Sequence, residues 1–230
     1  MLTITWLGHG TFAFQLAGES IVIDPWLEGN PKFPAGFSLD RLDTMLITHG
    51  HFDHIASAAG LAGRFSPKVI ANYEICSWLE SKGVANTSGM NKGGRQQAGA
   101  LAVTMTHALH SSGIQDGPNW VYGGEAGGYI LHLPDGRNAY FAGDTAICSE
   151  MSLYGSIYRP ELAFLPIGDH YTMGPLEAAH AARLLQVKKV IPMHYGTFPV
   201  LAGTPDALRS GLADSGIEVW ELEPGKPVNW

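Results

Sequence analysis

Cysteine and positively charged residues are both scarce in this sequence. Only Cys76 and Cys148 occur among 230 residues, and they form no Cys-x-x-Cys pair. This excludes a disulfide framework and a cysteine-based zinc site, and it indicates a reduced cytoplasm. Lys and Arg number 14 against 21 Asp and Glu, so the formal net charge is -7. Because phosphate backbones attract basic surfaces, we expect no nucleic-acid partner.

Long apolar runs are missing as well. No segment provides the roughly 18 apolar residues that span a bilayer, and the first residues lack the charged and apolar regions of an export signal. We therefore expect neither a membrane partner nor a cleaved signal. With 45% hydrophobic residues the chain can still bury a sizeable core. No linker or low-complexity segment divides it, so residues 1–230 are predicted to form a single domain.

Histidine, in contrast, is concentrated in one place. Residues 48–54 read Thr-His-Gly-His-Phe-Asp-His. Residues two apart in an extended chain point the same way, so His49 and His51 can bind one ion. Asp53 and His54 follow where the chain must turn, and they can reach a second ion. Imidazole and carboxylate ligands suit zinc, iron or manganese. The alternative is a polar turn whose histidines face water, which the strict His-x-His-x-Asp-His spacing disfavours.

Hydrophobic patterning predicts strands that alternate with helices. The predicted strands cover residues 2–7, 12–16, 21–24, 44–48, 68–71, 101–106, 128–133, 139–142 and 189–193. The predicted helices cover residues 55–64, 73–82, 175–186 and 205–215, with Asn72 as an N-cap and Pro175 in a first turn. Two long loops, 25–37 and 113–128, are either lids or tolerated insertions. This mixture predicts an α/β fold of two mixed sheets with helices outside.

Three further polar residues stand where a predicted strand ends. They are His110, Asp144 and His194, and strand ends are a usual location for site residues in α/β proteins. Each alone would more often be structural, but two ions need more ligands than residues 48–54 supply. His107 lies three residues before His110, where an extended chain points its side chain the opposite way.

These motifs resemble those of metallo-β-lactamase-fold hydrolases. The resemblance is closest to a largely uncharacterised bacterial and archaeal group related to L-ascorbate-6-phosphate lactonase, and it spans nearly the whole chain. The segments that carry it are Leu7-Gly8-His9, Ile23-Asp24-Pro25, 48–54, Asn91-Lys92-Gly93-Gly94, His110-Ser111-Ser112, Ala142-Gly143-Asp144-Thr145, 166–169 with 172–175, and 192–199. Met-His-Tyr-Gly-Thr-Phe and Ile-Gly-x-x-x-Thr-Met indicate the narrower group.

The resemblance implies an αββα four-layer sandwich with two divalent transition-metal ions at one edge. It assigns one ion to His49, His51 and His110, assigns the other to Asp53, His54 and His194, and makes Asp144 the bridge. Zinc is the first expectation, with manganese or iron as alternatives. Asp53 and Asp144 are the candidate catalytic residues, although their role as ligands leaves no separate general base.

Other residues receive supporting roles or none. The resemblance implies that Asp24 orients the cluster and that His9 lies at the rim of the site, where capping a glycine-rich turn is the alternative. It also implies that Asp169 and His170 adjoin the site without being ligands, and Asp169 and Tyr195 are candidates for supporting the site or binding substrate. The remaining histidines match no metal position, namely His107, His132 and His180.

The implied activity is hydrolysis of a small-molecule ester, lactone or phosphodiester. Two ions about 3.5 to 4 Å apart can share a hydroxide whose parent water has a pKa lowered to roughly 7. The lactonase relative suggests a cyclic or phosphorylated substrate. The alternatives are a nucleic-acid phosphodiesterase, a diiron flavoprotein, which would normally carry Glu in place of His51, and a metal-binding module without turnover. A homo-oligomer is left open.

Overall fold

The strands build two large sheets and one small hairpin. The computed structural model describes all 230 residues. Its strands are β1 (Thr3–Trp6), β2 (Phe12–Leu16), β3 (Glu19–Ile23), β4 (Thr44–Leu46), β5 (Lys68–Asn72), β6 (Thr87–Met90), β7 (Arg95–Ala98), β8 (Leu101–His107), β9 (Gly113–Asp116), β10 (Asn119–Tyr122), β11 (Gly127–His132), β12 (Asn138–Phe141), β13 (Leu162–Pro166), β14 (Lys189–Met193), β15 (Glu218–Val219) and β16 (Val228–Asn229).

Six helices complete the fold. They are α1 (Phe52–Ile55), α2 (Ala58–Phe65), α3 (Tyr73–Ser81), α4 (Glu150–Tyr158), α5 (Pro175–Leu185) and α6 (Pro205–Leu212). The predicted N-cap of α3 is confirmed, since the Asn72 side chain accepts a hydrogen bond from the backbone N–H of Ile75. None of these helices is both long enough and apolar enough to cross a bilayer.

Both large sheets are mixed, and helices cover their outer faces. The first sheet has the order β16-β1-β2-β3-β4-β5-β6 and the second has the order β15-β14-β13-β12-β11-β8-β7. Strands β3 to β6 are parallel, whereas β1, β2 and β3 are antiparallel. Helix α3 packs on β5 and β6, while α5 packs on β13 between α4 and α6. This confirms the predicted fold class, a sandwich of two mixed sheets with helices outside.

The alternation of side chains along β3 shows how the layers form. Ile21 and Ile23 join the main core between the sheets, where Phe12 meets Phe164 of the opposite sheet edge to face at a centroid distance of 5.0 Å. Val22 points the other way, into a smaller core beneath helices α1 to α3. Because successive strand residues face opposite sides, one apolar strand contributes to two layers.

Two predicted segments differ from the structure. The helix predicted over residues 55–64 is broken into α1 and α2, because the Ser57 N–H donates to the Pro25 carbonyl and so leaves the helical pattern. The Ser57 hydroxyl also accepts from the N–H of Leu27. The predicted loop 113–128 contains the β9–β10 hairpin, while 25–37 has no regular element.

Five strands end at the same edge of the sandwich, where the polar residues follow. Strands β3 and β4 are parallel, and so are β12, β13 and β14. Strand β8 runs in the same direction as β12, because both pair antiparallel with β11. The carboxyl ends of β3, β4, β8, β12 and β14 therefore lead into Asp24, His49, His110, Asp144 and His194.

Candidate metal centre

Three histidines form the first ligand group, defined as His49, His51 and His110. His49 Nε2 lies 3.1 Å from His51 Nδ1, which lies 3.2 Å from His110 Nε2. Their nitrogens are close enough together to hold one ion. Burial lowers the pKa of all three, and the charge of nearby His54 lowers it further. Neutral imidazole is the form that binds a metal.

Neighbouring hydroxyls orient two of these rings. The Thr48 hydroxyl donates to Asp24 Oδ2 at 2.7 Å and lies 3.0 Å from His49 Nδ1, so it accepts the proton on that nitrogen. The lone pair of His49 is thereby left on Nε2, which faces the group. Ser111 Oγ lies 3.2 Å from His51 Nε2 and can accept from it in the same way. Such contacts fix the tautomer of a metal-binding histidine.

The second ligand group consists of Asp53, His54 and His194. Nδ1 of His54 donates to Asp24 Oδ2 at 2.8 Å, which leaves Nε2 of His54 buried and without a partner. His194 Nε2 lies 3.7 Å from Asp53 Oδ2. The ligand atoms of these three residues lie close together, with His9 as a fourth neighbour.

Asp144 lies between the two ligand groups. Its Oδ2 is 3.0 Å from His194 Nε2 and 3.3 Å from His54 Nε2. The same oxygen is 3.7 Å from His110 Nε2 and 3.9 Å from His49 Nε2. One carboxylate oxygen therefore borders nitrogens of both groups, as the bridging assignment requires.

The histidines and carboxylates in and around the second ligand group shift one another's pKa values. Burial alone would lower the pKa of His194, but the charge of Asp144 and hydrogen bonds to Asp144 and Asp53 raise it to about 9. Asp144, Asp24 and Asp53 likewise raise the pKa of His54 well above its usual range against the effect of burial. Burial opposes ionisation of Asp53 and Asp144, yet their histidine neighbours hold both carboxyl pKa values well below the ordinary range. The carboxylates thus attract positive charge at this position.

Asp24 supports both ligand groups through hydrogen bonds. It is fully buried, and burial raises its pKa although His54 and Thr48 oppose this by donating to it. Its Oδ1 accepts from the backbone N–H of Thr48 at 2.8 Å, while Oδ2 accepts from the Thr48 hydroxyl and from His54. All three donors are internal to the protein, as a buried carboxylate needs.

The resemblance placed His9 at the rim of the site. In the structure, His9 is instead fully buried. Its Nε2 lies 2.9 Å from Asp53 Oδ2, and its Nδ1 lies 3.0 Å from Thr197 Oγ1. Burial lowers the pKa of His9 to about 4, so the ring carries one proton at neutral pH. An ionised carboxylate only accepts, so that proton is on Nε2. His9 therefore donates to Asp53 and has no lone pair to offer an ion there.

Three residues of the site have left-handed backbones. The φ angles are 56° at His9, 51° at Asp24 and 55° at His194, in a region that residues other than glycine rarely adopt. The His194 N–H donates to the His9 carbonyl at 3.2 Å, which ties two of these turns together. Such strain is concentrated at functional sites. Gly10 allows the close approach, since a Cβ there would lie 2.9 Å from His54 Cε1.

Two residues predicted to adjoin the site, Asp169 and Tyr195, belong to neither ligand group. Asp169 is exposed and accepts a hydrogen bond from the His170 N–H. The Tyr195 ring stacks on Trp6 at 5.4 Å and is largely buried.

The remaining histidines lie outside both ligand groups, as the sequence indicated. His107 Nδ1 lies 2.9 Å from the Lys92 ammonium, so its ring is engaged away from the first ligand group. His132 lies in β11, 2.9 Å from the Thr104 hydroxyl, and His180 is on α5.

Sequence reasoning missed the cavity beside the ligand groups. This opening, the aromatic cavity, has a volume of about 550 Å³. Besides His51, Asp53, His110 and Asp144, its lining consists of Phe52, Ser111, Trp120, Tyr171, Phe198, Pro199 and Val200. The lining residues come from six separate segments with no common motif. The clue in the sequence was the pair of long loops, one of which contributes Trp120.

The residues present fit transition-metal ions. Five buried polar atoms have no hydrogen-bond partner, and three of them belong to proposed ligands: His54 Nε2, Asp144 Oδ1 and His194 Nδ1. A buried polar atom without a partner is costly, and a bound cation would displace the proton of His54 Nε2 and satisfy its lone pair. Imidazoles and carboxylates without thiolates match zinc, iron or manganese.

Known proteins resemble this chain over its full length. The profile of the beta-lactamase superfamily domain matches residues 19–195. A metal-dependent hydrolase of Solibacter usitatus is 60% identical over 230 residues, 100% of both chains. One from Koribacter versatilis is 52% identical over 98% of this chain and 97% of that relative. The solved structure of a metallo hydrolase from the archaeon Ignicoccus hospitalis has a TM-score of 0.87 at 35% identity, covering 99% of this chain and 97% of that one.

Proposed function

Because the chain belongs to the beta-lactamase superfamily as one of its metal-dependent hydrolases, we propose that it cleaves a small-molecule ester, lactone or phosphodiester at two divalent ions. The position of Asp144 supports this proposal best. Its Oδ2 lies within 3.9 Å of nitrogens from both ligand groups, so the two groups are close enough to act on one substrate.

One ion would be held by His49, His51 and His110, and the other by Asp53, His54 and His194. Asp144 would be a ligand of both ions. Zinc is the first choice, with manganese or iron as alternatives, because imidazole and carboxylate ligands accept all three. When bound, such ions supply a water-derived nucleophile at neutral pH and polarise the oxygen of the scissile group.

The protein's own residues prepare the site for this chemistry. Asp53 and Asp144 line the aromatic cavity, and their histidine neighbours keep both carboxyl groups ionised at neutral pH. His9 holds Asp53 by donating from Nε2, and Asp24 fixes the proton of His54 on Nδ1. The reacting bond would thus meet carboxylates and imidazoles already held in one orientation.

We also propose that the protein works in the cytoplasm on a small molecule and not on nucleic acid. Both cysteines are unpaired, which suits a reducing compartment. The formal net charge of -7 opposes binding to a phosphate backbone.

Metal analysis and an activity screen test the proposal together. Elemental analysis of the purified protein is expected to give two ions per chain, and anomalous scattering should place one in each ligand group. The metal-loaded protein is then screened against carboxylic esters, lactones, thioesters, amides, phosphodiesters and short oligonucleotides. A single ion held by His49, His51 and His54 together would refute the two-ion arrangement. Full metal loading without turnover would favour a binding module.

A further inference from the structure

The walls of the aromatic cavity carry no positive side chain. None of its 11 lining residues is Lys or Arg. His51 and His110 are the only basic groups in the lining, and both belong to the first ligand group. The lining carboxylates are Asp53 and Asp144. Ions in the ligand groups would provide positive charge for the reacting group, but nothing on the walls would pair with a second, distant anion.

The walls are instead apolar and largely aromatic. Phe52, Trp120, Tyr171 and Val200 are between 45% and 71% exposed, yet all four face this one opening. Scattered exposed hydrophobic residues need no explanation, but several around one concave site indicate a binding surface.

One wall is fixed by packing. The buried Trp26 ring stacks on Phe198 at 5.8 Å and meets Phe52 edge to face at 5.6 Å. These contacts hold both phenyl rings before any ligand arrives. A preformed apolar wall binds an apolar group without the cost of ordering its own side chains.

The opposite side is built from Trp120 and Tyr171. Trp120 projects from the β9–β10 hairpin over Gly113, where a Cβ would lie 3.2 Å from the ring. Tyr171 follows two consecutive left-handed residues, Asp169 with φ 65° and His170 with φ 57°. Two such residues in succession are strained, and here they precede a ring that lines the cavity.

From these observations we infer that the substrate carries an uncharged, apolar group, aryl or branched alkyl, next to the scissile bond. This inference rests on the proposed hydrolase function and narrows it. It argues against the phosphorylated small molecule suggested by the lactonase resemblance, because a distal phosphate would meet Phe52, Trp120 and Phe198 without a cationic partner. An unpaired charge against apolar walls is costly.

Two esters that differ only in a distal charge test the inference. The pair is para-nitrophenyl benzoate and the mono-para-nitrophenyl ester of terephthalic acid, which share a leaving group and a rigid acyl ring. For the metal-loaded wild type we expect kcat/KM to favour the neutral ester about tenfold or more, a typical discrimination against a mismatched group. Equal kcat/KM values, or a preference for the terephthalate, would overturn the inference and leave the hydrolase proposal standing.

Variants locate the discrimination in the cavity. Val200→Lys adds a cation to the wall and should reduce or reverse the preference in kcat/KM for the neutral ester over the charged one. Leu176→Lys makes the same change at an exposed apolar residue outside the cavity and should leave the ratio as in the wild type. Trp120→Ala should raise KM for the benzoate, whereas Tyr122→Ala, on the same strand but outside the lining, should not. An unchanged ratio in Val200→Lys would contradict the inference.

A binding measurement separates failure of the inference from failure of the proposed function. If neither ester is hydrolysed, the metal-loaded protein is titrated calorimetrically with phenylacetamide and with its para-carboxylate. Tighter binding of the neutral amide by about tenfold, lost in Trp120→Ala, would uphold the apolar cavity although the hydrolase proposal had failed. Equal affinities, or no binding of either amide, would overturn the inference.

Discussion

Replacing Asp24 by Asn should impair metal binding without direct removal of a ligand. The Asp24 carboxylate accepts three hydrogen bonds, from the N–H and hydroxyl of Thr48 and from Nδ1 of His54. An amide of the same size offers one acceptor and one donor. Asn tolerates the left-handed backbone at this position, so φ 51° adds no strain of its own.

Neither orientation of the new amide reproduces these contacts. With its oxygen toward the N–H of Thr48, the amide NH2 faces His54, which must accept at Nδ1 and move its proton to Nε2. That nitrogen is the one directed at Asp144, 3.3 Å away, and a protonated nitrogen binds no metal. With the amide reversed, its NH2 meets the N–H of Thr48 and leaves a buried donor unpaired, a loss of about 1–3 kcal/mol.

We therefore expect Asp24→Asn to weaken metal binding by about tenfold to a hundredfold, the usual effect of removing a support for a ligating histidine. At about 1.4 kcal/mol per factor of ten, this is roughly 1.4–2.8 kcal/mol. Affinity is measured by competition with a chromophoric chelator, and the tautomer of His54 by nitrogen NMR of labelled histidine. Asp43→Asn is the control, because Asp43 accepts from Ser20 and Arg41 outside the site. Wild-type affinity with His54 still protonated on Nδ1 would refute the reasoning.

Three further substitutions test the remaining assignments. His110→Ala should lose metal and activity together, whereas His107→Ala should keep both; the reverse result in metal analysis would overturn the choice of His110. Asp144→Asn keeps the size but removes the charge between the ligand groups, so it should release at least one ion and reduce hydrolysis by orders of magnitude. Full metal content with near-normal turnover would show that Asp144 only caps a turn. His9→Ala removes the donor to Asp53 and should weaken metal binding about tenfold or more by calorimetry, and unchanged affinity would contradict that role.

Local chain geometry explains why much of the candidate centre could be predicted. His49 and His51 are two residues apart in an extended segment, so their shared direction followed from the sequence alone. His110, Asp144 and His194 could be proposed because each directly or shortly follows an apolar strand. Parallel directions of β8, β12 and β14 then bring these strand ends to one edge, a consequence of sheet topology that the residues themselves do not state.

The incorrect predictions depended on contacts between distant parts of the chain. His9 is buried because its ring lies against His194 at a centroid distance of 3.9 Å and bonds to Thr197, 188 residues away. A Gly-His-Gly turn carries no sign of that contact. Asp169 is exposed, and two left-handed residues turn the chain so that Tyr171, and not Asp169, is part of the cavity lining. Asp and His adopt this conformation only occasionally, so the sequence could not specify it.

The buried carboxylate of Asp24 connects the hydrogen bonds of the two ligand groups. Asp24 Oδ2 accepts from His54 in the second group and from the Thr48 hydroxyl, which itself accepts from His49 in the first group. The His54 ring thus donates to Asp24 Oδ2 directly, and the His49 ring is linked to the same oxygen through the Thr48 hydroxyl, so the opposite nitrogens are left for metal. Since His49 follows β4 and Asp24 follows β3, the pairing of two parallel strands sets this arrangement before any ion binds. Loss of the Asp24 charge should therefore weaken the binding of both ions. Loss of His110 should first weaken the binding of the ion in the first ligand group.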